Sequence, residues 1–210
     1  MRKLLVCDMA GTVINEGGKV YRVLGDVLRN IGVPKEDLRY FHGMGKRAAI
    51  KKGIEFYGRG DVDHAYAYFK EELRKEYRAG VRLVHPNIPY HFDRLQKRGV
   101  HIALNTGFDR DMMDEILYNV SLDRYVDYTV ASDEVERSRP SSDMIDALVK
   151  QSGASFVVKV GDTKLDIEEG KNAGAYTIGV LTGAGSRLDL QGADLVVPNI
   201  MRVINNDKII

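Results

Sequence analysis

Asp8 closes the apolar run Leu4-Leu5-Val6-Cys7 and leads into Met9-Ala10-Gly11-Thr12. A carboxylate therefore stands where a buried strand gives way to a turn. Open α/β sheets bind ligands in the crevice outside the carboxyl ends of their strands, so Asp8 is placed for chemistry. Gly11 permits a sharp turn, and the Thr12 hydroxyl with nearby backbone N–H groups can cradle an anion. The alternative is that Asp8 caps the next segment. Asn105-Thr106-Gly107 follows the run Val100 to Leu104. A hydroxyl and backbone N–H groups ahead of a helix suit a phosphoryl oxygen, although Thr-Gly is also ordinary turn chemistry. Arg139-Pro140 precedes a helical pattern starting near Ser142. A cation there can neutralise a phosphoryl group and its attacking nucleophile, or it can be a solvated arginine. In Val160-Gly161-Asp162-Thr163-Lys164-Leu165-Asp166 two carboxylates lie four residues apart. They can converge on one hard cation such as Mg²⁺, or either can cap the helix that follows.

Gathering these residues requires elements that bring strand ends together. Short apolar or alternating runs recur at Leu4 to Cys7, Val100 to Leu104, Val126 to Ala131, Phe156 to Val160, Tyr176 to Val180 and Ala193 to Val197. Helical patterns at Ile88 to Arg98, Arg110 to Val120, Ser142 to Ser152 and Leu165 to Ala173 separate most of them. The alternation predicts an α/β fold, a Rossmann-like parallel sheet with helices on both faces. All the residues singled out then share one edge of the sheet. From about Tyr21 to Arg82 there is only amphipathic helical pattern with Gly and Pro punctuation, too long for a loop. It predicts an inserted α-helical cap over residues 14–85, hinged near Val13 to Gly18 and Val84 to Pro89. The core would be residues 1–13 and 86–210. A cap closing over the strand ends can exclude water and select substrates.

Composition narrows the alternatives. A length of 210 residues with 44% hydrophobic content suits one packed domain, or a core with a small insert. Lys plus Arg total 31 against 30 Asp plus Glu, so no broad basic face for nucleic acid is expected. Cys7 is the single cysteine. It excludes an intramolecular disulfide and points to a reducing cytoplasm. The apolar stretch after Arg2 and Lys3 stops at Asp8, too short for a signal peptide or membrane helix.

With these motifs in this order, the chain resembles the haloacid dehalogenase superfamily. Asp8 to Thr12, Arg139-Pro140 and the long run Gly161-Asp162-Thr163-Lys164-Leu165-Asp166-Ile167-Glu168-Glu169-Gly170-Lys171-Asn172-Ala173-Gly174 look like its phosphonoacetaldehyde hydrolase (phosphonatase) branch. The resemblance implies that Asp8 is a nucleophile forming an aspartyl-phosphate, with Thr106 and Arg139 binding the phosphoryl group. It implies Mg²⁺ held by Asp8, the Ala10 carbonyl and Asp162, with Asp166 as a ligand or just behind the ligands. An anionic carboxylate attacking an anionic phosphoryl group meets repulsion, which Mg²⁺ and Arg139 would offset.

Ordinary phosphatases of the superfamily carry an aspartate two residues after the nucleophile as general acid and base; here that residue is Ala10. Phosphonate hydrolases resemble this chain in having alanine there, and break a carbon–phosphorus bond through a lysine imine. In that branch the lysine follows the glycine of a cap Met-Gly pair by three residues. Counting on from Met44-Gly45 gives Ala48. Lys46, Lys51 and Lys52 are the candidates to replace it, and Lys46 could instead grip a substrate anion. All three also read as solvated lysines on an amphipathic helix. His42 could donate a proton to a leaving group, or lie at the surface or hinge. The expected substrate contacts are Thr12, Gly107, His42, Lys46 and Arg47.

The expected activity is Mg²⁺-dependent, phosphonatase-like hydrolysis of a small phosphorylated metabolite. Two alternatives stay open: phosphonoacetaldehyde hydrolysis with a displaced cap lysine, and a catalytically weakened protein that binds a phospho-ligand. The expected partner is a small phosphorylated or phosphonate substrate, with no nucleic acid and no membrane, and a homodimer is left open.

Overall fold

In the computed structural model, which describes residues 2–78 and 80–206, the run around Leu5 forms β1 (Lys3–Asp8). Leu5 and Cys7 face a large apolar cluster with Phe92, Ile102 and Ile116, while Leu4 and Val6 face a smaller one with Met144, Ile145 and Leu148. Both faces are covered, which is why the run is apolar throughout. Burial pushes the Cys7 thiol up to about 12, so it is neither ionised nor reactive at neutral pH.

After β1 come β2 (Ile14–Asn15), α1 (Lys19–Ile31), α2 (Lys46–Tyr57), α3 (Val62–Arg78) and β3 (Arg82–Leu83). They are followed by α4 (Ile88–Lys97), β4 (Val100–Thr106), α5 (Arg110–Asn119), β5 (Tyr128–Ala131) and α6 (Asp143–Ser152). The chain continues with β6 (Phe156–Gly161), α7 (Lys164–Asn172), β7 (Tyr176–Val180), β8 (Leu195–Val197) and α8 (Met201–Ile204). Six strands form one parallel sheet in the order β5-β4-β1-β6-β7-β8. The predicted sheet is therefore present, and its order reverses at β1, where such folds open a ligand crevice. Asp8 pairs in register with Asn105, and Val6 pairs with both Ala103 and Lys159. The carboxyl ends of β1, β4 and β6 are thereby level.

Two strands are shorter than their sequence runs. β5 starts after Asp127 and β8 after Asp194, whose carboxylates accept the N–H groups of Ile102 and Thr177 at 2.7 Å. An aspartate side chain there stands in for a ladder partner.

The stretch between β2 and β3 holds α1, α2 and α3. Buried Val20, Val23, Leu24, Val27, Leu28 and Ile31 form one face of α1, which packs on α3 and its buried Tyr66, Phe69, Leu73 and Tyr77. This is the spacing of an amphipathic helix. β2 and β3 pair antiparallel, Ile14 with Leu83 and Asn15 with Arg82, so a small ribbon links the helices to the sheet. Strands of two residues carry too little alternation to be read from sequence.

Lys70 and Arg74, one turn apart on α3, tie that helix to the start of α5. Lys70 meets Asp109 at 3.0 Å and Asp111 at 3.2 Å, and Arg74 meets Asp111 at 2.9 Å and Glu115 at 2.8 Å. Most of these side chains are partly solvated, where an ion pair contributes about 0.2–1 kcal/mol. Among the described residues no helix is long and apolar enough to cross a membrane.

Candidate active site

Asp8, Thr106 and Asp162 stand at or just beyond neighbouring strand ends, and Arg139 reaches Asp8 from the connection between β5 and α6. Arg139 is buried rather than solvated. Its Nη1 donates to Asp8 Oδ1 at 2.7 Å and lies 3.0 Å from Asp166 Oδ1. Its Nε donates to Glu169 Oε2 at 3.1 Å, and its Nη2 to the Asn105 carbonyl at 3.0 Å and Oδ1 at 2.9 Å. Lys159, wholly buried in β6, donates to Asn105 Oδ1 at 2.6 Å and lies 3.1 Å from Asp166 Oδ1 and 3.0 Å from Glu169 Oε2. Asn105 Nδ2 returns a bond to Glu169 Oε1 at 2.8 Å. Mutual pairing is the condition under which such charges persist away from water.

Asp8, Asp162 and Asp166 are all buried, and each offers a carboxylate oxygen within 4.8 Å of the others. Burial, then the Asp166 charge, raises the Asp8 pKa against the pull of Arg139 and Lys159. Burial, then Asp8 and Asp166, pushes Asp162 well above the carboxylate range. Burial acts the same way on Asp166, but Arg139, Lys159 and Thr163 outweigh it and hold its pKa low. Four carboxylates, Asp8, Asp162, Asp166 and Glu169, thus lie around two paired cations, Arg139 and Lys159. One divalent cation would offset that excess, and a set of carboxylate oxygens suits a hard ion such as Mg²⁺.

Asp162 is held from both sides. Its Oδ2 accepts the Ala184 N–H at 2.7 Å and its Oδ1 the Thr12 hydroxyl at 3.3 Å. The Thr12 proton, expected on a substrate anion, is therefore directed to Asp162. A Cβ added at Gly183 would fall 1.9 Å from Asp162 Oδ2, so only glycine fits beside that carboxylate. Asp166 also closes a capping box with Thr163 at the start of α7. Its Oδ2 accepts the Thr163 hydroxyl at 2.6 Å, so capping and pairing with Arg139 are done by one side chain. Thr106 Oγ1 accepts the Phe108 N–H at 3.3 Å, which leaves the hydroxyl its own proton to donate.

The loop 42–46 lies over these strand ends. An added Cβ at Gly43, whose φ is +83°, would fall 2.5 Å from Thr163 Oγ1, and one at Gly107 would fall 2.9 Å from the Met44 carbonyl. The Lys46 N–H donates to the Gly107 carbonyl at 2.9 Å. The Lys46 side chain is buried, not solvated. Its Nζ donates to the Met44 carbonyl at 3.0 Å and sits 5.4 Å from the Tyr21 ring centre and 5.6 Å from that of Phe108. Burial lowers its pKa to about 8, against the attraction of Asp8.

The other expected cap contacts lie elsewhere. Arg47 is exposed and pairs with Asp63. Lys51 is exposed near Glu55, and Lys52 bonds the Tyr40 hydroxyl. Adjacent helix residues point about 100° apart, so Lys46 and Arg47 cannot both face inward. Arg47, Ala48 and Lys51 line a separate cleft of about 730 Å³ with Tyr66, Asp109 and Ser138. The His42 ring lies against Tyr21, tilted by 34° with ring centres 4.1 Å apart, and burial, then Lys46, lowers its pKa to about 4. At neutral pH it is an uncharged imidazole, a poor proton donor.

Sequence reasoning missed the roles of the Asn105, Lys159, Glu169 and Tyr21 side chains. Lys159 had a signal: a lysine inside the apolar run Phe156 to Val160 must find buried anions if the strand is central. Tyr21 had none, because its place beside the site depends on how α1 docks.

Residues 5–180 match the model of a family described as haloacid dehalogenase-like hydrolase. Phosphonoacetaldehyde hydrolase of Bacillus cereus is 37% identical over 94 residues, covering 43% of this chain and 36% of that protein. The enzyme of the same name from a second strain of Bacillus cereus is 27% identical over 201 residues, covering 86% of this chain and 76% of that one. The chain thus spans about a third of the first relative and three quarters of the second. A phosphonoacetaldehyde hydrolase like protein from Oleispira antarctica has the same fold, with a TM-score of 0.77 at 22% identity, over 97% of this chain and 91% of that one. By the match over most of its length, the chain belongs to the haloacid dehalogenase-like hydrolases.

Proposed function

We propose that the chain is a Mg²⁺-dependent, phosphonatase-like hydrolase that acts on a small phosphorylated metabolite through Asp8. The observation that carries this reading is the Arg139 guanidinium bonded to Asp8 Oδ1 at 2.7 Å within a buried carboxylate trio. Asp8 Oδ2 attacks phosphorus, the bond to the leaving group breaks, and an aspartyl-phosphate forms. Water then attacks that phosphorus, phosphate departs and the carboxylate is restored, so one hard displacement becomes two easier ones. Arg139 offsets the repulsion between nucleophile and phosphoryl group, and the Thr106 hydroxyl donates to a phosphoryl oxygen. Asp8, Asp162 and the Ala10 carbonyl would hold Mg²⁺, with Asp166 beside them. When bound, the ion adds positive charge at the phosphoryl oxygens. The helices of residues 14–85 act as a cap that excludes water, with the β2–β3 ribbon at its hinge.

Phosphate release from a panel of phosphate esters and phosphonates, with Mg²⁺ and with EDTA, tests this reading. Release that needs Mg²⁺ is expected; none from any member, or release unaffected by EDTA, would overturn it. Gly183→Ala is expected to weaken Mg²⁺ binding about 10–100-fold in calorimetric titration, as loss of an outer support does. Unchanged affinity would remove Asp162 from the ligand set.

The buried Lys46 amine favours a second reading, hydrolysis of phosphonoacetaldehyde itself. A neutral amine fraction near pH 8 can attack an aldehyde, whereas Lys51 and Lys52 lie outside the site. Borohydride added with phosphonoacetaldehyde is expected to fix an adduct on Lys46 alone. A protein mass unchanged after this treatment eliminates the second reading.

A further inference from the structure

An alkoxide is a poor leaving group, so breaking the phosphorus–oxygen bond of an alkyl ester calls for a proton donor close to the nucleophile. Ala10, two residues past Asp8, brings only a methyl group. The groups around Asp8 can be weighed in turn. The Arg139 guanidinium is held well above its already high range by Asp166, Asp8 and Glu169, despite burial. Lys159 is enclosed by Asn105, Asp166 and Glu169. Tyr21 accepts the Gly43 N–H at 3.1 Å, and burial, then Asp162 and Asp8, makes its phenol harder to ionise. His42 is uncharged at neutral pH.

Lys46 differs from all of these. Its backbone N–H is fastened to Gly107, next to Thr106, and its amine lies 3.3 Å from the point where a Gly107 Cβ would stand. One carbonyl, Met44 O, accepts from it, so an ammonium retains protons to give. The amine also feels Asp8, Asp162 and Asp166, which places it within the field of the same site.

We propose that Lys46 Nζ is the general acid for phosphate esters, giving its proton to the departing oxygen as Asp8 bonds to phosphorus. The neutral amine then regains a proton from solvent, and water hydrolyses the aspartyl-phosphate in a step that Lys46 does not assist. Each turnover leaves alcohol and phosphate, with Lys46 and Asp8 unchanged. A pKa of about 8 keeps most of the amine charged near neutral pH and still able to give up its proton to the departing oxygen. The inference rests on the Asp8 reading above.

The test is the dependence of rate on the leaving group, with Mg²⁺ present, across monoesters running from p-nitrophenyl phosphate to simple alkyl phosphates. Lys46→Met is expected to lose about 10²–10⁴-fold in kcat on alkyl esters, the usual contribution of a general acid. On p-nitrophenyl phosphate, whose phenolate departs without a proton, the loss is expected to stay within about tenfold. Lys46→Arg keeps the positive charge but holds its proton too tightly, and is expected to show the same skewed loss. Equal losses on all esters, or recovery of alkyl ester hydrolysis in Lys46→Arg, would overturn the proposal. Lys46→Met and Lys46→Arg should both melt cooperatively, and agreement of their profiles separates acid loss from a folding defect in one of them. If Asp8→Asn still hydrolyses p-nitrophenyl phosphate, the Asp8 reading fails, whatever Lys46 does.

Discussion

Asp8→Asn is expected to lower phosphate release by at least about 10⁴-fold, the scale seen when a nucleophile is removed. Asparagine has the same shape, and its side-chain oxygen can still accept from Arg139 Nη1, which lies 2.7 Å from Asp8 Oδ1. The buried network should therefore survive, and circular dichroism should match the parent. The amide nitrogen and oxygen cannot carry out the attack that a carboxylate makes. Rapid quenching with labelled substrate should trap phosphoprotein in the parent and none in the variant. Cys7 offers no substitute nucleophile, since burial keeps its thiol protonated at neutral pH. Full turnover in Asp8→Asn would move the nucleophile to another residue.

Lys159→Met is expected to destabilise the fold by about 3–5 kcal/mol, the cost of removing one partner from a buried ion pair. The methionine fills most of the space, so the loss is electrostatic rather than a cavity effect. Asp166 and Glu169 would keep only Arg139 as a cation, and Asn105 Oδ1 would lose its 2.6 Å donor. Urea titration measures the change through the midpoint at constant slope. Adding Glu169→Gln to Lys159→Met should recover at least about 1 kcal/mol, because neighbours in one network couple rather than add. A single-variant loss below about 1 kcal/mol would mean that the ammonium gains little beyond its own desolvation cost.

The sheet was legible because its strands are buried on both faces. Runs such as Leu4 to Cys7 and Val100 to Leu104 are continuously apolar, and each chemical motif follows one of them. Their common edge comes from parallel topology alone, so Asp8, Thr106, Arg139 and Asp162 could be grouped before any contact was known. What stayed hidden depends on tertiary docking. Lys46 reads as the first residue of an exposed amphipathic helix; in the fold it is buried, with Tyr21 and Phe108, far away in sequence, beside its amine. Gly43 reads as punctuation, while its role is the close approach to Thr163. His42 reads as an acid candidate, and only its burial against Tyr21 shows that it is uncharged.

The ion pairs between α3 and α5 have a mechanical consequence. Asp8 is 4% exposed and Asp162 1%, closed in beneath the loop 42–46. Beneath that loop the charges are buried and mutually locked; at the rim, Lys70 and Arg74 hold Asp109, Asp111 and Glu115 where water can replace either partner. The molecule thus keeps its unsolvated charge pairs at the floor and its half-solvated ones at the edge. Parting the helices from the sheet would cost the rim only ion pairs that hydration replaces, and would leave the bonds around Asp8 unbroken.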